Sequence, residues 1–266
     1  KGLPQWLIDQ AASTAKEKGK AGKWVFTLDN PSVFPFLQFS EKRELREKIF
    51  KAKNNRGNNG NENDNKEIIK SLANLRAQKA ELLGYKTFAD YVLEERMQKT
   101  PQQVYSLLEG LLEYSIPAAK KDVVELEKLL VKDQPGATLE AWDWSFYAEK
   151  LKKQKFNFDA EETRPYFEIN NVRQGCFDVV TKLYGLTFTE RKDIPVYNED
   201  VQVFECKNEK DEHVGILYWD PYTRASKVGG AWCNGYREQY VKGEKKVTPI
   251  ITICFNYAKS PSGRTT

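Results

Sequence analysis

The chain has 266 residues, enough at about 150 per domain for one large domain or two modest ones, and enough to bury a sizeable core. Forty-two Lys and Arg stand against 38 Asp and Glu, a net charge of +4 on a chain that is 30% charged; this excludes a dedicated nucleic-acid or membrane-surface module, which concentrates positive charge on one face. With 40% hydrophobic and 12% aromatic residues it is no disordered chain, and no apolar run approaches the ~20 residues of a bilayer span. The opening Lys1-Gly2-Leu3-Pro4 carries neither an initiator methionine nor a signal-peptide pattern, and the sole methionine is Met97, so we expect a piece of a longer protein.

Residues 3–18 place Leu3, Trp6, Leu7, Ala11 and Ala15 on one helical face. An aromatic stretch follows over 24–39, and Ser40 then stands where it can cap a charged helix running to Lys53. Residues 54–65 hold seven asparagines and two glycines in twelve positions, a loop by composition. Asp64-Asn65-Lys66-Glu67 reads as a capping box opening a helix with Ile68, Ile69, Leu72, Leu75, Leu82 and Leu83 on its apolar face and Gly84 at its left-handed stop. Thr87-Phe88-Ala89-Asp90 starts another helix. Thr100-Pro101-Gln102-Gln103 combines an N-cap, a proline at the first helical position and a glutamine three residues after the cap. Val104, Leu107, Leu108, Leu111 and Leu112, then Val123, Val124 and Leu130, keep helical spacing up to Pro135-Gly136, with Pro117 expected to kink or split the helix.

Shorter helices are predicted over 142–154, 160–166 and 171–184, the last closed by Gly185. The apolar period then changes from 3.6 to 2, giving strands over 186–190, 201–206, 214–219, 228–233 and 247–257, with Asn208-Glu209-Lys210-Asp211 as a hairpin turn. The fold class is α+β and mostly helical, long helices followed by a small, mainly antiparallel sheet near the C-terminal end.

The single histidine, His213, limits the chemistry. A histidine-based zinc site needs two or more imidazoles, and a catalytic triad needs its histidine oriented toward a nucleophile, so neither can be built around this residue alone. Beside Glu212 in a hairpin strand it reads as a surface or half-buried side chain. Cys176, Cys206, Cys233 and Cys254 form no Cys-x-x-Cys pair and each sits in an apolar run, which reads as buried free thiols and a reducing compartment. Asp143, between two tryptophans, reads either as a helix-start cap or as part of a flat platform for a sugar or base. Asp220-Pro221-Tyr222 with Arg224 reads either as a carboxylate site or as a turn held by an ion pair. The basic clusters at 42–53, 150–155 and 242–246 read as solvated faces, and the asparagine-rich loop as a linker.

From Trp142-Asp143-Trp144-Ser145-Phe146-Tyr147-Ala148-Glu149-Lys150 onward a family resemblance appears. Pro165-Tyr166-Phe167, Leu183-Tyr184-Gly185, Asp193-Ile194-Pro195-Val196-Tyr197, Asp200-Val201, the run 218–227 and Gly229-Gly230-Ala231-Trp232 follow in order, and Leu75-Arg76, Leu82-Leu83-Gly84-Tyr85 and Arg96-Met97 precede them. Together they resemble the thimet-oligopeptidase and peptidyl-dipeptidase family of zinc metallopeptidases, closest to its bacterial peptidyl-dipeptidase branch. The resemblance implies a clam-like, mostly helical enzyme that cleaves short peptides in a deep channel. Its zinc is held by a His-Glu-x-x-His helix and a downstream glutamate, with the motif glutamate as general base toward a zinc-polarised water.

None of those zinc-site residues is expected in these 266 residues, which the resemblance places just ahead of the motif. Zinc is therefore expected as a cofactor of the parent protein and not of this chain, and the chain alone is expected to be inactive. A non-catalytic helical interaction module is the alternative. Residues 1–165 are expected to form helical channel wall, and residues 166–266 a helix and sheet adjoining the zinc-binding helix. The expected partners are short peptides, with no nucleic acid or membrane, and self-association is expected through an apolar surface left exposed by truncation. The compartment is cytoplasmic or periplasmic. No catalytic or metal-binding residue is assigned. The candidate substrate-binding residues are Gly229, Gly230, Ala231 and Trp232. Two glycines in a β-prone run are explained either by a bulge or close packing, or by a peptide substrate approaching and pairing with the strand's backbone.

Overall fold

A computed structural model describes residues 1–224 and 226–259. Ala225, inside the 218–227 signature, and residues 260–266, which the resemblance places just before a zinc motif, lie outside the described residues. The element order is α1 (Gln5–Glu17), α2 (Asn30–Phe39), α3 (Arg43–Asn54), α4 (Lys66–Leu82), α5 (Phe88–Leu93), α6 (Pro101–Asp133), α7 (Trp144–Phe156), a 3₁₀ helix (Ala160–Tyr166) and α8 (Ile169–Tyr184). The strands are β1 (Thr187–Glu190), β2 (Gln202–Lys207), β3 (His213–Tyr222), β4 (Trp232–Arg237), β5 (Tyr240–Lys242), β6 (Lys245–Val247) and β7 (Ile250–Tyr257). The class is α+β, mostly helical, with its sheet at the C-terminal end. Two compact units divide the chain: Lys1 with residues 37–156, and residues 2–36 with 157–266.

The first unit is helical, and much of its order is set by caps. Thr100 accepts a hydrogen bond from the Gln103 backbone N–H at 3.3 Å while Gln103 accepts from Thr100 N–H at 3.2 Å, a reciprocal capping box that starts α6. α6 then runs unbroken for 33 residues, so Pro117 does not split it. At α4 the expected box is absent: Asp64 instead accepts from the N–H groups of Lys66 (3.0 Å) and Gly60 (2.7 Å), closing the asparagine-rich loop onto the helix start. Gly84 takes the predicted left-handed conformation, φ 83°.

One core cluster of this unit joins Leu126 and Leu130 of α6 to Phe146 and Tyr147 of α7. Another centre is polar. Arg46 and Asp143 are both completely buried, with Arg46 Nη2 2.7 Å from Asp143 Oδ1. Arg43 adds Nη2 to Asp143 Oδ2 at 2.7 Å, and Arg46 Nη1 donates to Ser40 O at 2.7 Å. Burial opposes ionisation of Asp143, but hydrogen bonds from Arg43 and Arg46 outweigh it and hold the carboxyl below its ordinary range. Asp143 is thus the hub that ties α3 to the start of α7. The apolar stripes of α4 and α6 behave differently: Ile68, Ile69, Leu75, Leu107, Leu108, Leu111 and Leu112 are all exposed.

In the second unit α1 buries Leu7, Ala11 and Ala15. Trp6 Nε1 donates to Glu161 Oε2 at 2.9 Å, and the Arg164 guanidinium lies 4.3 Å from the Trp6 ring. The aromatic stretch between α1 and α3 contains a helix, α2, that the sequence reading did not predict; Pro31 stands in its first turn, where the missing N–H costs nothing, and Asp29 O accepts from Ser32 and Val33 at 2.9 Å. Glu168 caps α8 by accepting from the N–H groups of Asn170 (3.0 Å) and Asn171 (3.2 Å), and Gly185 ends it at φ 66°.

The main sheet has the order β1-β2-β3-β7-β4, with three antiparallel pairings and one parallel one, β3 to β7. Phe177 of α8 packs on Phe204 and Trp219 against one face of this sheet. The hairpin turn at 208–211 forms as predicted, with Asp211 at φ 61°. The basic cluster 242–246 is exposed, as expected of a solvated face, and forms a small β5–β6 hairpin turning at Gly243, φ 61°. One strand boundary is corrected. The strand expected at 228–233 begins only at Trp232, because Gly230 sits at φ 111°, outside strand geometry. All four cysteines are free, but only Cys206 and Cys254 are buried, against the expectation of four buried thiols; Cys176 is exposed on α8, and Cys233 on β4, a strand exposed at nearly every residue.

Candidate functional site: an edge strand and its anchored loop

β4 is the last strand of its sheet, and among the described residues no strand pairs with its outer edge. An edge strand presents alternate N–H and C=O groups to its surroundings, the chemistry that captures another extended chain. The candidate residues stand at its start. Gly229, Gly230 and Ala231 form the approach to the strand, and Trp232 is its first residue, opposite Cys254 of β7.

The glycines are not explained by crowding. A Cβ built on either Gly229 or Gly230 meets nothing within 4 Å, so among the described residues no neighbouring backbone presses on them. Gly230 needs its φ of 111°, which side chains rarely adopt. At Gly229 neither conformation nor packing calls for glycine.

The loop is anchored from below. Asp220, 1% exposed at the end of β3, accepts from both terminal nitrogens of Arg224 at 2.8 Å, from Lys227 Nζ at 3.0 Å and from Tyr197 Oη at 3.1 Å. Lys227 Nζ also donates to the carbonyls of Asp220 (3.0 Å), Tyr222 (2.8 Å) and Phe255 (2.5 Å). Burial alone would raise the Asp220 pKa, but hydrogen bonds from Arg224 and Lys227 overcome it and keep the carboxylate charged. Burial, with the neighbouring Asp220 charge adding to it, pushes the Tyr197 hydroxyl well above its usual value, so it stays a donor. Of the two readings of the Asp220–Arg224 run, the structure selects the ion pair: the guanidinium is engaged by Asp220. Lys227 closes the 218–227 signature and Asn256 falls in the strand expected over 247–257, but no local pattern marks either as an anchor of this loop. Asn256 Nδ2 donates to Val228 O at 2.9 Å and to Gly230 O at 2.6 Å.

Beside β4 lies an open recess of about 440 Å³ lined by Pro195, Val196, Tyr197, Tyr218, Tyr236 and Ile250. Tyr197 and Tyr218 stack at 6.1 Å, and Tyr236 of β4 meets Tyr218 edge-on at 6.1 Å.

The residues present do not fit zinc. His213 has Glu205 Oε1 at 2.9 Å from Nδ1 and Thr248 Oγ1 at 3.1 Å from Nε2, so both ring nitrogens have partners. Among the described residues no three His, Cys, Asp or Glu side chains come together as a metal site. His213 and Arg191 together hold Glu205 below its ordinary pKa, a structural role for that carboxylate.

The family model described as Peptidase family M3 covers residues 36–266, and the chain belongs to that family. It is 35% identical over 263 residues to a dipeptidyl carboxypeptidase of Escherichia coli (strain K12), an alignment covering 98% of this chain and 38% of that protein. It is 34% identical over 263 residues to an oligopeptidase A of Haemophilus influenzae, covering 96% of this chain and 38% of the relative. An organellar oligopeptidase A of Arabidopsis thaliana, chloroplastic/mitochondrial, is 35% identical over 242 residues, 87% of this chain and 30% of the relative. The chain thus spans 30–38% of the length of these curated relatives.

Proposed function

We propose that this chain is part of a zinc metallopeptidase that hydrolyses short peptides, and that it supplies a backbone-reading platform for the substrate. The observation that carries the reading is the open edge of β4, reached through Gly229-Gly230-Ala231, in a chain similar along 98% of its length to a dipeptidyl carboxypeptidase. A peptide laid along β4 would be held by main-chain hydrogen bonds, which give affinity without demanding particular side chains. The chemical step belongs to zinc and a general base that the parent protein would carry elsewhere; in this chain no residue is assigned a catalytic role. Residues 1–165 would serve as channel wall, and residues 166–266 would carry the platform.

Release of C-terminal dipeptides is the favoured specificity. Internal cleavage is the second reading, supported by similarity of the same degree to oligopeptidase A. The test uses the parent protein and a set of short peptides with free or amidated C-termini. Successive dipeptide loss from free C-termini, abolished by a chelator and restored by zinc, is the expected result. Cleavage indifferent to C-terminal amidation would select the internal reading, and a parent without peptide hydrolysis would leave the scaffold reading standing. The 266-residue chain alone should retain no stoichiometric zinc after dialysis, since one imidazole and scattered thiols cannot build a tetrahedral site.

A further inference from the structure

The approach to β4 combines two features that pull in opposite directions. Gly229 and Gly230 give it more conformational freedom than any other residue pair would, and an ordered binding loop must lose that freedom. Both glycines also face open space, so side-chain packing does not supply the order. It comes from outside the loop. Lys227, 3% exposed at its side chain, fixes the loop's first half on Asp220 and on carbonyls of β3 and β7. Asn256, near the end of β7, fixes the second half by using both hydrogens of one amide nitrogen, one on Val228 O and one on Gly230 O. These two carbonyls flank Gly229, and the N–H groups of Gly229 and Ala231, which lie trans to them in the same planar peptides, are thereby held in a set direction.

We propose that Asn256 is a positioning residue: its amide pins the carbonyls on either side of Gly229 so that the backbone of 229–231 is presented, pre-ordered, to an extended peptide paired along β4. This rests on the reading of β4 as the substrate platform and assigns the device that holds it ready. Pre-ordering matters because a loop that must be frozen on binding subtracts that entropy from affinity. Asn256 does not line the recess and its amide is spent on the loop's carbonyls, so its removal should weaken binding and leave the chemical step alone. The isosteric aspartate would be worse than alanine, since it sets a carboxylate oxygen against two carbonyl oxygens where a donor had been.

The test is made in the parent protein with Asn256→Ala and Asn256→Asp. For each form, kcat and KM are measured on a short peptide and on its analogue N-methylated at one backbone amide, alongside zinc content, thermal midpoint and hydrogen exchange over 226–232. The expected result is faster exchange in that segment, unchanged zinc, and kcat/KM lower by about fivefold or more, carried mainly by KM. The preference of wild type for the unmethylated peptide should shrink in both variants, which a general loss of stability would not cause. An active parent whose variants keep both the wild-type KM and the full discrimination overturns the positioning role while leaving the peptidase reading intact. A parent that cleaves no peptide sinks that reading and the positioning role with it, even if the exchange rates change as expected.

Discussion

Asp143 and Arg46 are both fully buried, and at 2.7 Å each compensates the other's buried charge. Breaking such a pair from one side leaves an uncompensated buried ion, so Asp143→Ala should cost about 3–5 kcal/mol in urea unfolding. Replacing both partners by apolar residues of matching size, Asp143→Leu with Arg46→Met, should recover most of that loss. If the double variant is no better than the single one, the contribution lies in the further bonds to Ser40 and Trp142 and not in the charge pair. The same carboxylate fixes a pH dependence. Its folded pKa is depressed, as is that of Asp220, so the stability they contribute is present above the unfolded value near 4 and is lost as pH falls through the folded values. Stability should therefore be flat from neutral pH down to about 5 and decline below about 4. In Asp143→Asn the neutral-pH stability should be lower and the acid decline shallower, as read by circular dichroism against pH.

At the scale of elements, α6 offers a matched pair of substitutions. Thr100→Ala removes a reciprocal cap and should cost about 1 kcal/mol. Pro117 is exposed in the helix interior, where proline forfeits one backbone hydrogen bond and crowds the preceding turn; Pro117→Ala should raise the unfolding midpoint, by at most about 3 kcal/mol in free energy. A neutral effect would mean that neighbouring turns already relieve the proline. α6 also shows what was legible in the sequence. Its cap, its apolar spacing and its stop are local signals, and they placed the helix; continuity through Pro117 was not legible, because it depends on how cheaply a long helix absorbs one missing bond. α2 was hidden by proline and aromatic content that reads as irregular. The shift of β4 from 228–233 to Trp232–Arg237 depends on Gly230 and on a bond from Asn256, a residue 26 positions away that no local pattern connects to it. The glycine motif itself was legible, and so was its neighbourhood to the sheet. Its anchoring was not, since the bonds of Lys227 to Asp220, Tyr222 and Phe255, and of Asn256 to Val228 and Gly230, follow no local sequence pattern.

For the molecule as a whole, the informative surface is the stripe on α4 and α6. A helix with apolar residues at helical spacing normally buries that face, because the spacing exists to form one. Here Leu108 is 47% exposed and Leu111 59%, with Leu107, Leu112, Ile68, Ile69, Leu72 and Leu75 likewise open. Apolar side chains left open along one helical face attract whatever apolar surface they can meet. The relatives are longer, and the chain spans 38% of the Escherichia coli dipeptidyl carboxypeptidase. The expectation is that the 266-residue chain, expressed alone, binds a hydrophobic dye strongly and elutes as more than a monomer. Leu108→Glu with Leu111→Glu, one turn apart on the same helix, should reduce both signals while far-ultraviolet circular dichroism stays unchanged, because neither side chain lies in the core that joins α6 to α7 through Leu126 and Leu130. In the parent protein the same pair should instead lower thermal stability, as two charges would then be forced into a covered interface. A dye-free monomer in the first experiment, together with no loss of stability in the second, would show that the stripe is ordinary solvent-facing surface and that the helices are held by their caps and the α6–α7 core alone.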